Sequence, residues 1–101
     1  MDQLIDILRS TLDDYTGDAL NGYSYLTESK DGTVFTIVSI GYLPDKRIVD
    51  AGLIVHVVGD CIIIERDVND KPLVEALPQA NVPRQQIVLA YAGEAVEVTA
   101  A

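Results

Sequence analysis

The sequence has no tryptophan and a single phenylalanine among 101 residues, so its core must be assembled from Ile, Val, Leu and Ala. One cysteine, Cys61, cannot close an internal disulfide, and one histidine, His56, is too few for a structural zinc site, which gathers several His, Cys or carboxylate ligands. Cations are scarce: 7 Lys and Arg stand against 16 Asp and Glu, a net charge of −9. Proteins that grip phosphate backbones bring lysine and arginine, so a self-sufficient nucleic-acid-binding module is not expected, nor is docking on anionic lipid. The acidity favours solubility and leaves a basic partner open. No apolar run approaches the roughly 20 residues that cross a bilayer. Met1-Asp2-Gln3-Leu4 opens acidic, where a secretory leader would place cations. These absences together imply a cytoplasmic soluble protein. Glycine-rich phosphate loops, repeats and low-complexity segments are also missing; Asp31-Gly32 and Gly59-Asp60 read as turns.

The length suits one domain with a modest core, spanning residues 1–101. Leu4, Ile5, Leu8 and Leu12 recur at helical spacing among polar residues and predict an amphipathic helix over residues 2–15, ended by Gly17 and Asn21-Gly22. Residues 23–29 predict a first strand, and Lys30-Asp31-Gly32 a hairpin turn. A second strand follows over residues 34–43, closed by Pro44-Asp45. A third runs over about residues 48–58, with Gly52 inside it marking a bulge or close approach. Gly59-Asp60 turns the chain into a fourth strand, residues 61–66. Asn69-Asp70 offers an N-cap and Lys71-Pro72 an opening for a second helix carrying Leu73, Val74 and Leu77 inward. Pro78 should kink or shorten that helix, Asn81 can take a left-handed C-cap conformation, and Pro83 blocks continuation. One further helical turn at residues 83–86 leads into Ile87-Val88-Leu89. The expected fold is α+β: a four-stranded or larger antiparallel sheet with an N-terminal and a shorter C-terminal helix on one face.

The hairpin at Gly59-Asp60 is apolar on both faces, with Leu53 to Val58 on one strand and Cys61 to Ile64 on the other. Such strands need cover on both sides, and two short helices supply only one layer. Either Ile54, His56 and Val58 or Leu53, Val55 and Val57 should contribute to an exposed apolar face, and large apolar patches mark association. The expected contact comprises Leu53, Val55, Val57, Ile62 and Ile64, with Tyr42 nearby, and serves a homodimer or a partner subunit.

Catalytic patterns are weak. His56 and Cys61 could face each other across strands as a base and nucleophile, but both fit apolar packing better. Asp50, Glu65 and Asp67 form the nearest thing to the acidic cluster of a metal-dependent nuclease. That constellation wants a lysine two residues beyond the acidic one, where Asp67 stands here. A solvated strand end is the simpler reading. Tyr23 and Tyr25 could stack on bases, yet no cation adjoins them in sequence. A cleft between sheet and helices could hold a small ligand; the residues neither favour nor exclude it.

From Ile40 onward the order of features resembles the XisI family, the fdxN element excision controlling factors of cyanobacteria and relatives. The matching features are Gly41-Tyr42, Arg47, Gly52, His56, Ile62-Ile63-Ile64-Glu65-Arg66-Asp67, and Asn81-Val82-Pro83 running through Ile87-Val88-Leu89-Ala90-Tyr91. Tyr42 and Ile63 stand where that family tends to have tryptophan, Val68-Asn69 replaces Gly-Thr, Asn81 replaces a glycine and Gln86 an acid. The resemblance implies a divergent, non-enzymatic accessory protein, without catalytic residues, metal or cofactor. It would act with a XisH-like partner to let a separate recombinase excise a DNA element.

Overall fold

A computed structural model describes residues 2–95. Helix α1 (Asp2–Asp13) is followed by β1 (Gly17–Ala19), β2 (Gly22–Glu28), β3 (Val34–Leu43), β4 (Lys46–Val58) and β5 (Cys61–Asp67), then α2 (Leu73–Gln79) and β6 (Ile87–Leu89). The six strands lie side by side in sequence order. All neighbours are antiparallel except β5 and β6, which α2 connects as a crossover between parallel strands. The α+β architecture expected from the sequence is present. β1 and the parallel pairing of β6 are additions to it.

Helix α1 stops two residues short of its predicted end. The amides of Asp14, Tyr15 and Thr16 bond back to the carbonyls of Thr11, Leu12 and Asp13, tightening the last turn, and the Thr16 hydroxyl also donates to Asp13. The chain then reverses through Leu20-Asn21, pairing Ala19 with Gly22. Gly22 is required there by close approach, since a Cβ would run into the backbone carbonyl of Ile40 on β3.

The start of α2 differs from its expected cap. Neither Asn69 nor Asp70 serves; Pro72 is the N-cap residue and offers no side-chain bond. The Asp67 carboxylate reaches forward instead, accepting from the Leu73 amide at 2.6 Å and from the Asn69 amide at 3.0 Å. The end of α2 follows the sequence reading. Asn81 sits at φ 70°, with its amide bonded to Pro78 and that of Val82 to Leu77. This Schellman arrangement buries Val82.

Both helices cover the same face of the sheet. Leu8 and Leu12 of α1 and Leu73 and Leu77 of α2 pack with Phe35, Ile37, Leu53, Val55, Val57, Ile62 and Ile64 from the strands, and Val82 and Ile87 complete the cluster. Arg9 pins α1 to β2 through paired hydrogen bonds to Glu28 at 2.8 and 3.1 Å, and these hold the Glu28 carboxyl below its ordinary range. Beyond the helices, β3 and β4 continue as a ribbon in which residues 42–50 are exposed. β4 alone, at 13 residues, spans about 44 Å at 3.4 Å per residue, close to the molecule's longest dimension of 48 Å.

One residue sets which side of β4 meets the helices. Ile37 pairs with Leu53 and Val38 with Ala51, so Gly52 is the extra residue of a bulge. A second bulge on β5 leaves Glu65 unpaired between Ile64 and Arg66.

Two stability measurements check this account. In urea unfolding, Leu53→Ala should cost about 2–5 kcal/mol, as a cavity beneath the helices, while Val49→Ala should stay within about 0.5 kcal/mol. Asp67→Ala should cost about 1–2 kcal/mol through loss of the α2 cap, whereas Asp70→Ala should have little effect.

Candidate protein interface on the open sheet face

The six residues expected at an interface divide between two environments. Leu53, Val55, Val57, Ile62 and Ile64 are 0–6% exposed, lying beneath the chain's own helices, so a partner does not reach them. Tyr42 is 47% exposed and lies on the opposite face. Neither α1 nor α2 packs on that opposite face, and among the described residues it is the more open apolar side of the sheet, although Ile63 at its β5 end is only 2% exposed.

Strand alternation and register assemble it in rows. Tyr25 pairs with Val38 and Val38 with Ala51; Tyr23 pairs with Ile40 and Ile40 with Val49; Thr27 pairs with Thr36 and Thr36 with Ile54; Val34 pairs with His56 and His56 with Ile63. Residues directly opposite share a face, so each row is continuous across the strands. Tyr25 at 42% and Val49 at 62% exposure stand at the ends of two rows, while Ile40 between Tyr23 and Val49 is covered. The tyrosines form one cluster, with ring centroids 6.0 Å apart for Tyr23 and Tyr25 and 6.2 Å apart for Tyr23 and Tyr42. Arg47 lies over the Tyr42 ring at 5.7 Å. Rigid amphipathic rings beside an arginine are the composition that concentrates binding energy in protein interfaces.

The same arrangement bears on nucleic acid. The fold brings a cation, Arg47, over Tyr42, whose ring in turn neighbours Tyr23. One arginine in a chain of net charge −9 gives a small phosphate footprint.

The acidic residues weighed as a nuclease centre are spent separately. Asp67 caps α2; Asp50 lies 3.5 Å from Arg66, which also donates to the Ala51 carbonyl; Glu65 occupies the β5 bulge. Among the described residues, no group of three His, Cys, Asp or Glu side chains is placed to hold a metal. His56 and Cys61 both lie half-buried on the open face, opposite Ile63 and Val58 respectively. The cleft between α1 and the segment before α2 encloses about 310 Å³ and is lined by Thr11, Asp14, Tyr15, Asn69, Asp70, Lys71 and Ala76. The Tyr15 hydroxyl there donates to the Lys71 carbonyl. No described helix is long and apolar enough to cross a membrane.

Comparison with known proteins places this architecture. The sequence model of the XisI protein family matches residues 2–99. A solved XisI-like protein from Anabaena variabilis superposes with a TM-score of 0.73 at 18% identity, covering 86% of this chain and 83% of that one. The fdxN element excision controlling factor XisI, also from Anabaena variabilis, superposes with a TM-score of 0.57 at 20% identity, covering 88% and 86%. At these identities the two structures speak for the fold. No curated protein matches the sequence.

A calorimetric titration tests the dispersal of the acidic residues. Mg²⁺ and Mn²⁺ should each give no saturable binding, and a stoichiometric site abolished by Asp50→Asn would restore the nuclease reading.

Proposed function

The chain belongs to the XisI family, and on that premise we propose that it is a non-enzymatic accessory protein that supports site-specific excision of a DNA element. It works with a XisH-like partner, and a separate recombinase carries out strand transfer. The observation that carries this reading is the family match over residues 2–99, joined to an apolar sheet face on which neither α1 nor α2 packs. A controlling factor of net charge −9 acts through protein contacts and not by gripping phosphates. The partner docks on the rows built around Tyr23, Tyr25, Tyr42 and Ile54. Apolar area and ring packing there supply affinity, and Arg47 at the rim supplies orientation. The protein is cytoplasmic, where the DNA element and the recombinase reside.

The test is co-purification with a XisH-like protein, followed by titration of the complex. Tyr25→Glu and Ile54→Glu each place a charge on the open face without disturbing the helix-side core, and each should weaken binding by about tenfold or more. Unchanged affinity in both variants would remove the face from the contact. DNA cleavage by the purified chain alone would overturn the accessory role.

A further inference from the structure

The free edge of β4 carries a feature separate from the open face. β5 pairs with β4 only from Leu53 onward, so, among the described residues, positions 46–51 have β3 on one side and no strand on the other. Arg66 donates to the Ala51 carbonyl from the β5 side, which shows that the polar groups of Ala51 point away from β3. Backbone groups alternate along a strand, so those of Val49 and Arg47 point outward as well. Among the described residues the outward donors and acceptors of Arg47 and Val49 therefore have no partner, on an exposed edge where Ile48 is 45% and Val49 62% exposed.

We propose that this edge pairs with the same edge of a second copy, antiparallel and centred on Ile48. In that register Arg47 and Val49 of the two copies lie opposite each other and exchange their outward hydrogen bonds. Ile48 meets Ile48 across the two-fold axis. Lys46 faces Asp50 of the other copy on the helix side of the sheet, twice by symmetry. Neighbouring registers lose this match: one step toward the turn sets Arg47 against Arg47, and one step away sets Ile48 against Asp50. Registers that place Ile48 opposite Arg47 or Val49 set outward groups against inward ones and form no ladder.

The local charge favours the second copy as occupant. Lys46–Asp50 carries both signs, and the register sets each Lys46 against the other copy's Asp50, so this edge supplies attraction between two chains that as wholes, at −9 each, repel. Lys46 and Arg47 blunt the edge toward an arbitrary strand. Toward this chain's own Asp50, the lysine is attractive. The pairing joins two sheets into one, with helices on a common side and the two open faces continuous. It goes beyond the partner reading above, since it uses the edge of the ribbon and not its face. A ladder this short buries less than a standard interface of about 1,600 Å², so the dimer should depend on concentration.

Sedimentation equilibrium over a wide concentration range tests the pairing. The wild-type chain should dimerise reversibly. Lys46→Asp and Asp50→Lys should each weaken the dimer by about tenfold, because each sets like charges opposite one another at both ends of the ladder. The double variant Lys46→Asp/Asp50→Lys should recover most of that loss. Asp50→Lys also removes the Arg66 contact, so recovery in the double variant separates pairing across copies from a local effect. Both positions are exposed, and circular dichroism verifies the fold. A wild-type chain that stays monomeric, single variants that dimerise unchanged, or a double variant no better than the singles would each overturn the proposal. Binding of a XisH-like partner by monomeric Lys46→Asp would leave the docking reading standing on its own.

Discussion

The molecule depends on one surplus residue in its longest strand. Gly52 gives β4 one residue more than β3 can pair, and side chains change sides of the sheet across it. Beyond the bulge, Leu53, Val55 and Val57 join Phe35 and Ile37 beneath α1 and α2. Before it, Val49 and Ala51 align with Ile40 and Val38 on the opposite face. Without the bulge the two halves of β4 could not both be in phase with β3. The core would lose its central row or the ribbon would lose its apolar face.

That constraint explains what the sequence discloses and what it withholds. Elements with punctuation at both ends are legible: Asp31-Gly32, Pro44-Asp45 and Gly59-Asp60 mark three hairpins, and Asn81 marks the end of α2 through its left-handed backbone. Gly52 is legible as a bulge. Its effect on facing is not, because Leu53 to Val58 is apolar on both sides and either parity makes a sound core. Counting an unbroken register back from Pro44-Asp45 would set Thr36 opposite Leu53 and turn Leu53, Val55 and Val57 outward. The bulge pairs Thr36 with Ile54 instead. The residues that identify the open face are the polar or amphipathic members of its rows, Tyr25, Thr27, Thr36 and His56, and they become informative only once the register is known. The α2 cap eludes sequence reasoning for a related reason. Asp67 ends a strand and lies six residues before the amide it serves, outside the span within which caps are sought.

A sheet with α1 and α2 on one face and neither of them on the other makes a half-finished sandwich. Two short helices close one side of a six-stranded sheet, and tyrosines furnish much of the other. Tyrosine suits a surface that must be soluble alone and apolar when covered, because its hydroxyl remains wet while its ring contributes area. Membership in the XisI family, the acidic composition and the more open face are what the proposed docking role rests on. The edge of β4 offers a second, independent direction of contact, set by hydrogen-bonding geometry and charge and not by apolar area.

The central claim is that the working surface is the side of the sheet away from the helices. Amide and methyl chemical-shift mapping of the isotopically labelled chain during titration with a XisH-like protein tests it most directly. The account predicts perturbations concentrated on Tyr23, Tyr25, Val38, Tyr42, Val49 and Ile54, with α1 and α2 nearly silent. Perturbations confined to the two helices, with the tyrosine rows unmoved, would contradict it.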